Sequence, residues 1–349
     1  MRRMKWMAIL ALSSALLAER YIAIDNVCAW PNLKRLADGS IVAVVFNQPS
    51  HGKTEGDVEA WVSRDGGKLW QKAGTPAPHE PGTLRVNHAF GLAHDGSLIV
   101  LAAGAPVANR QGWLPVWVCR SRDGGRTWTR SESVKLPDSA SYLMPYGDIV
   151  QLPGGRLAAA FYQHFSIHSL GVTPKSIMPK GGSAYILFSE DDGKTWGNGA
   201  LIAKDNYNET TLLPVGERRL LAVARTYDPA DMEMFVSEDQ GRTWSKHGAV
   251  SLPRQHPASL LKLADGRLLM TYGIRERANR AVNVRVSSDE GRTWGPAWPV
   301  VTIDGAVDSG YPSTVQLEDG TLVTAWYASG IIQHRRYHMG VLRWQLDPK

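Results

Sequence analysis

The chain has 349 residues, 43% of them hydrophobic, with 34 Gly, 20 Pro and 13 Trp, a composition that excludes a disordered or fibrous protein and points to a turn-rich folded one. Its formal charge of +6 and pI of about 9.3 arise from basic residues dispersed among acidic ones, without a basic run or interleaved aromatics, which argues against nucleic acid and for a mild preference for anionic ligands. No apolar run long enough for a membrane helix follows the N-terminus.

The first element is a leader. Arg2, Arg3 and Lys5 precede an apolar run from Trp6 to Ala18, the pattern of a signal peptide over residues 1–18, so the chain is expected to be secreted or periplasmic with a mature part of 19–349. A short apolar strand, Tyr21 to Ile24, follows. Only two cysteines are present; Cys28 is placed on a first strand and Cys119 at the end of a third, so both read as buried thiols, not a bridge.

From there the chain is written in repeats. An Asp-Gly-like turn feeding an apolar strand occurs six times, in LADGSIVAVVF, LAHDGSLIVLAAG, QLPGGRLAAAFY, LPVGERRLLAVAR, KLADGRLLMTYGIR and QLEDGTLVTAWY, and each reads as a hairpin. A second turn, Ser-x-Asp-x-Gly-x-Thr-Trp, occurs five times, with its aspartate at Asp65, Asp123, Asp191, Asp239 and Asp289; Leu69 replaces the threonine in the first copy. Asp and Ser accept backbone N–H groups a few residues on, Gly supplies positive φ, and Trp pins the next strand. Five equal carboxylates are not needed by one active centre, so these aspartates read as staples of the fold.

The resulting unit is strand, Asp-Gly turn, strand, variable excursion, strand, Asp turn, strand. Six such units of roughly 50 to 60 residues predict an all-β fold, a six-bladed β-propeller with four-stranded antiparallel blades. The last unit lacks an Asp turn and a fourth strand, so the strand at Tyr21 to Ile24 is expected to close blade six. In such a ring the first strands begin at one mouth, and counting back from each Asp-Gly turn places Trp30, Asn87, His88, Tyr146, Glu209, His256 and Tyr311 there. Each also has an ordinary reading as a packing residue.

Five Asp turns on six units resemble the sialidase (neuraminidase) superfamily, and three features of the mouth carry the resemblance further. Glu209 opens blade four and Arg225 ends its second strand; Gly310, Tyr311, Pro312 and Ser313 stand where the family has Ala-Tyr-Ser; Arg280 precedes the third strand of blade five. The resemblance implies an exo-α-sialidase acting by retention: Tyr311 as nucleophile, Glu209 taking its proton, Arg225 and Arg280 holding the carboxylate of a terminal acidic sugar. The physics agrees, because a neutral phenol avoids the repulsion a carboxylate nucleophile would meet beside a sugar acid, and guanidinium forks bind carboxylates bidentately.

Two departures keep other readings open. Ala29, Trp30 and Pro31 stand where the family has Arg-Ile-Pro, and Arg85 at the start of blade two is the candidate replacement for the missing arginine. The family's acid/base aspartate has no clear equivalent in the loop NQPSHGKTEGDVEAW; His51 is the first candidate, since a histidine donates a proton near neutral pH, with Glu55 and Asp57 behind it. The alternatives are a hydrolase or lyase acting on another acidic sugar such as a uronic acid, and a non-catalytic carbohydrate-binding propeller. No metal or cofactor is expected, and the partner is a glycan or glycoconjugate. The sequon at Asn208 would put a glycan in the mouth and is discounted, and His334 and His338, four apart in a β region, do not read as a metal pair.

Overall fold

The computed structural model describes residues 19–108, 113–163 and 182–346; the leader expected at 1–18 lies outside the described residues. All regular elements among them are strands, β1 to β24 in chain order. After β1 (Glu19–Asp25), the strands β2 (Asn32–Arg35), β3 (Ile41–Phe46), β4 (Val58–Ser63) and β5 (Gln71–Ala77) form one antiparallel meander. The meanders β6 (Thr83–Leu92), β7 (Leu98–Pro106), β8 (Leu114–Ser121), β9 (Thr129–Ser131) and β10 (Met144–Gln151), β11 (Leu157–Gln163), β12 (Ser183–Ser189), β13 (Gly197–Ala203) are joined by a parallel pairing of β6 with β10 into one eight-stranded sheet.

Two further four-stranded sheets follow: β14 (Tyr207–Pro214), β15 (Leu220–Thr226), β16 (Met232–Ser237), β17 (Ser245–Ala249), and β18 (Gln255–Lys262), β19 (Leu268–Ile274), β20 (Ala281–Ser287), β21 (Trp298–Thr302). The last three strands, β22 (Asp308–Gln316), β23 (Leu322–Ser329) and β24 (His338–Trp344), recruit β1, which pairs antiparallel with β24 from Glu19 opposite Arg343 to Asp25 opposite His338. The expected all-β class and the N-terminal completion of the last sheet both hold.

Burial explains the order within each sheet. Second strands such as β3 (IVAVVF) and β11 (LAAAFYQ) are buried at every position, because neighbouring sheets cover both faces, whereas fourth strands such as β17 (SKHGA) are polar and largely exposed. First strands touch one another in sequence, β2 to β6, β6 to β10, β10 to β14, β14 to β18, β18 to β22, and β22 to β2. At the β6–β10 contact the backbones approach so closely that a Cβ on Gly91 would lie 2.3 Å from the Ile149 carbonyl oxygen, so only glycine fits.

The Asp turns sit between third and fourth strands and are built alike. In the second copy, Asp123 Oδ1 accepts the N–H groups of Arg126 and Thr127, Ser121 Oγ accepts Gly125 N–H at 2.9 Å, and Trp128 Nε1 donates to Gly125 O at 2.8 Å. The five aspartates are thus occupied by their own turns. Trp294 in the fifth copy differs, because its indole N–H has no partner. Cys119 lies in β8, a third strand, as expected; Cys28 instead precedes β2, and both thiols are free and buried.

Candidate active site

The first strands open into a cavity of about 330 Å³, the size of a small-ligand site. Its wall contains Trp30, Asn87, His88, Tyr146, Glu209 and Tyr311 from the expected set, together with His51 and Arg225. Trp30 and Tyr311 both stand at positive φ, 41° and 54°, a conformation that costs energy for large side chains and concentrates at functional sites.

The chemical centre joins β14, β15 and β22. Tyr311 Oη donates a short hydrogen bond to Glu209 Oε1, while Arg225 Nη1 donates to Glu209 Oε2 at 2.6 Å and to Tyr311 Oη at 3.4 Å. Burial, then the Glu209 carboxylate, raises the Tyr311 pKa above its ordinary value, against the pull of Arg225 and Arg275. The resting phenol is therefore protonated, and its proton must move to Glu209 as the oxygen bonds to an electrophile. Burial alone would lower the Arg225 pKa, but Glu209 outweighs it and holds the guanidinium charged. Tyr146 packs edge-on against Tyr311 at 6.1 Å, and Asn87 Nδ2 donates to Tyr162 Oη at 2.8 Å, so an aromatic wall surrounds the centre.

A second cluster stands beside it, with the Tyr327 ring 5.7 Å from that of Tyr311. His51, in the loop between β3 and β4, lies 2.9 Å through Nδ1 from Asp308 Oδ2 and packs edge-on against Trp30 at 5.0 Å. Asp308 opens β22 and also accepts from Arg275 Nη2 at 3.0 Å, Tyr327 Oη at 3.0 Å and Tyr337 Oη at 3.1 Å. Burial would raise the Asp308 pKa, but the His51 hydrogen bond and the Arg275 charge outweigh it and hold the carboxyl below the usual range. An ionised carboxylate has no proton to give, so His51 Nδ1–H donates and Nε2 is left for the cavity.

Several expected placements are corrected. Arg85 is spent elsewhere: its guanidinium donates to Glu80 and to Pro115 O and stacks on Trp117 at 3.6 Å, so it replaces no mouth arginine. Arg280 is absent from the cavity wall, and its Nε and Nη1 have no partner. The arginine of that sheet that reaches the centre is Arg275, whose guanidinium carbon is 5.7 Å from the Tyr311 ring; it follows β19, two positions beyond the one that matches Arg225 in the register of β15, so the repeat does not disclose it. His256 is buried behind the wall, and burial followed by the Arg225 and Arg275 charges pushes its pKa down to about 2. Asp57 receives His79 Nδ1 at 2.6 Å and Glu55 lies 3.3 Å from His79 Nε2; neither lines the cavity, so His51 alone of the three candidates does. Asp308, Tyr327 and Tyr337 were missed, because no local motif marks them.

The sequence profile of the BNR repeat-like domain family matches residues 39–324. No curated protein matches the chain. Among solved structures, a protein of unknown function from Dyadobacter fermentans is similar at a TM-score of 0.73 and 20% identity, covering 94% of this chain and 98% of its own. The Hadza microbial sialidase Hz136 is similar at a TM-score of 0.71 and 20% identity over 93% of this chain, which spans 66% of that enzyme. An α-L-arabinanase from Penicillium chrysogenum is similar at 0.61 and 11% identity, covering 92% of this chain and 97% of its own. At these identities the likeness is one of fold.

Proposed function

The chain belongs to the BNR repeat-like domain family, with a sialidase-like fold, and from that premise we propose that its six four-stranded meanders are the blades of a six-bladed propeller whose central cavity is the active site of a glycoside hydrolase. The reading includes export of the mature chain, on the strength of the leader at residues 1–18. One observation carries it: the Tyr311 hydroxyl, bonded to Glu209 and flanked by Arg225, shares one cavity wall with a histidine held by a carboxylate.

In the first half of the reaction Tyr311 Oη attacks the anomeric carbon and its proton passes to Glu209 Oε1. The glycosidic bond breaks, and the leaving oxygen takes the Nε2 proton of His51, which enters this step as the imidazolium ion paired with Asp308 and ends it neutral, with its remaining proton on Nδ1. In the second half water attacks the anomeric carbon and gives its proton to His51, while Tyr311 departs and recovers its own from Glu209. Two displacements retain the anomeric configuration. Arg225, 3.4 Å from the phenol oxygen, offsets the negative charge that grows there during attack. An acidic sugar, such as sialic acid, would additionally need a guanidinium free to receive its carboxylate.

The test is turnover of a panel of aryl glycosides by purified protein, with the first-formed anomer identified by NMR. Tyr311→Phe and Glu209→Gln are each expected to lower kcat by roughly 10²- to 10⁴-fold. Undiminished turnover in both variants, or an inverted product, would remove the assigned roles.

A further inference from the structure

We infer that four loops at the rim of the last two sheets form a second subsite, which holds the leaving group of the substrate and is built for a uronic acid. The inference rests on the glycosidase reading and deepens it by naming what stands on the far side of the cleaved bond. The loops are 250–254, 275–280, 303–307 and 330–337, and backbone hydrogen bonds join them into one ledge: Arg275 N–H donates to Arg254 O, Ile303 N–H to Arg280 O, and Val307 N–H to Ser329 O at the foot of the last loop, all at 2.8 Å. The last two loops are also closely packed, since a Cβ on Gly330 would lie 2.5 Å from Val307 Cγ2 and one on Gly305 3.2 Å from Ile332 Cγ1. The ledge adjoins the chemistry. Val307 precedes Asp308, the carboxylate that holds His51, and His51 gives the leaving oxygen its proton. None of the ledge residues lines the cavity that takes the terminal sugar, so the group they meet is the one that leaves.

The charge of the ledge selects an acid. Its loops carry Arg254, Arg275, Arg277, Arg280, Arg335 and Arg336 against Glu276 and Asp304, whereas loops 47–57 and 78–82 carry Lys53 against Glu55, Asp57 and Glu80. Three of the six arginines are matched: Arg254 Nε lies 3.3 Å from Glu276 Oε1, Arg275 is held by Asp308, and Arg336 by Asp25. Among the described residues Arg277 and Arg335 are exposed and form no ion pair, and Arg280 keeps Nε and Nη1 without a partner. Burial, then the Arg275 charge, lowers the Arg280 pKa, so an anion arriving here relieves a cation that is both desolvated and repelled. The ledge also offers apolar contact. Of the six large apolar side chains that stand exposed among the described residues, Leu252, Val307 and Ile332 belong to it. A uronic acid matches both features, because its C–H face packs on the aliphatic side chains while its carboxylate accepts guanidinium N–H groups. A neutral sugar would use only the first.

The experiment takes the terminal sugar that the aryl glycoside panel identifies and links it to glucuronic acid or to glucose, leaving groups that differ only in a carboxylate in place of a hydroxymethyl group. The glucuronic acid disaccharide is expected to lead in kcat/KM by about 5- to 10-fold at low salt and to lose most of that lead in roughly 0.5 M sodium chloride. In the double variant Arg277→Gln with Arg335→Gln the ratio of the two kcat/KM values is expected to fall to about 1, a readout that a general loss of folded protein does not move. Equal rates on the two disaccharides, a lead for glucose, or a lead for glucuronic acid that survives the double substitution would overturn the inference while leaving the glycosidase reading intact. If no aryl glycoside is turned over, the glycosidase reading fails separately. NMR titration with an oligogalacturonate then tests the ledge as a uronate site: binding to the wild type that the double variant loses supports it, and no binding, or binding unchanged in the variant, overturns it.

Discussion

His88 shows how much the depth of the cavity costs a single residue. It is 6% exposed, and burial pushes its pKa down to about 4, below the ordinary 6.5. The unfolded chain therefore takes up this proton first as the pH falls, so the stabilisation is complete above pH 6.5 and is lost between 6.5 and about 4, by roughly 3 kcal/mol. The urea midpoint is expected to drop over that interval, and to drop less steeply in His88→Gln. At His51 the matching expectation concerns chemistry. If it protonates the leaving oxygen, His51→Ala should lower kcat roughly 10²- to 10⁴-fold on glycosides with poor leaving groups and hardly at all on dinitrophenyl glycosides, which leave without a proton. Equal losses on both would show that His51 acts otherwise.

At the scale of an element, the Asp turn is a self-contained unit whose hydrogen bonds close within eight residues, and its tryptophan is the variable part. Trp196 Nε1 donates to Gly193 O at 3.2 Å from a site only 2% exposed, whereas the Trp294 indole N–H has no partner. Trp196→Phe should therefore cost about 1 kcal/mol more than Trp294→Phe in denaturant unfolding, since only the first leaves a buried carbonyl without its donor. The parallel seam between β6 and β10 supplies a second measurement. Gly91→Ala would drive a methyl into the Ile149 carbonyl, with an expected loss of about 1–3 kcal/mol or more and a lowered Tm.

For the whole molecule the decisive contact is between its two ends. Pairing of β1 with β24 covers a strand edge that would otherwise be open, and it buries Ile24 to 4% exposure. A chain starting at Asn26 is expected to lose cooperative unfolding or to aggregate, and size-exclusion chromatography with thermal unfolding checks it. A truncated chain that stays monomeric with an unchanged Tm would show that the ends are independent.

The sequence by itself determined the all-β class, the six strand–turn units, the role of the five aspartates and the borrowed N-terminal strand, because each is encoded by turn chemistry or by an unmatched unit. Counting back from the repeated turns also placed Tyr311 and Glu209 at the mouth, and the family resemblance placed Arg225 there. Only the tertiary structure decided what each charge faces. Arg85 and Arg280 carry long, flexible arms whose direction is set by neighbouring sheets, and nothing within a few residues of Asp308 shows that His51, Arg275, Tyr327 and Tyr337, from four other segments, converge on it. Backbone turns are local and therefore legible; the pairing of ions across a ring of sheets is not, because its partners meet only once the sheets have packed.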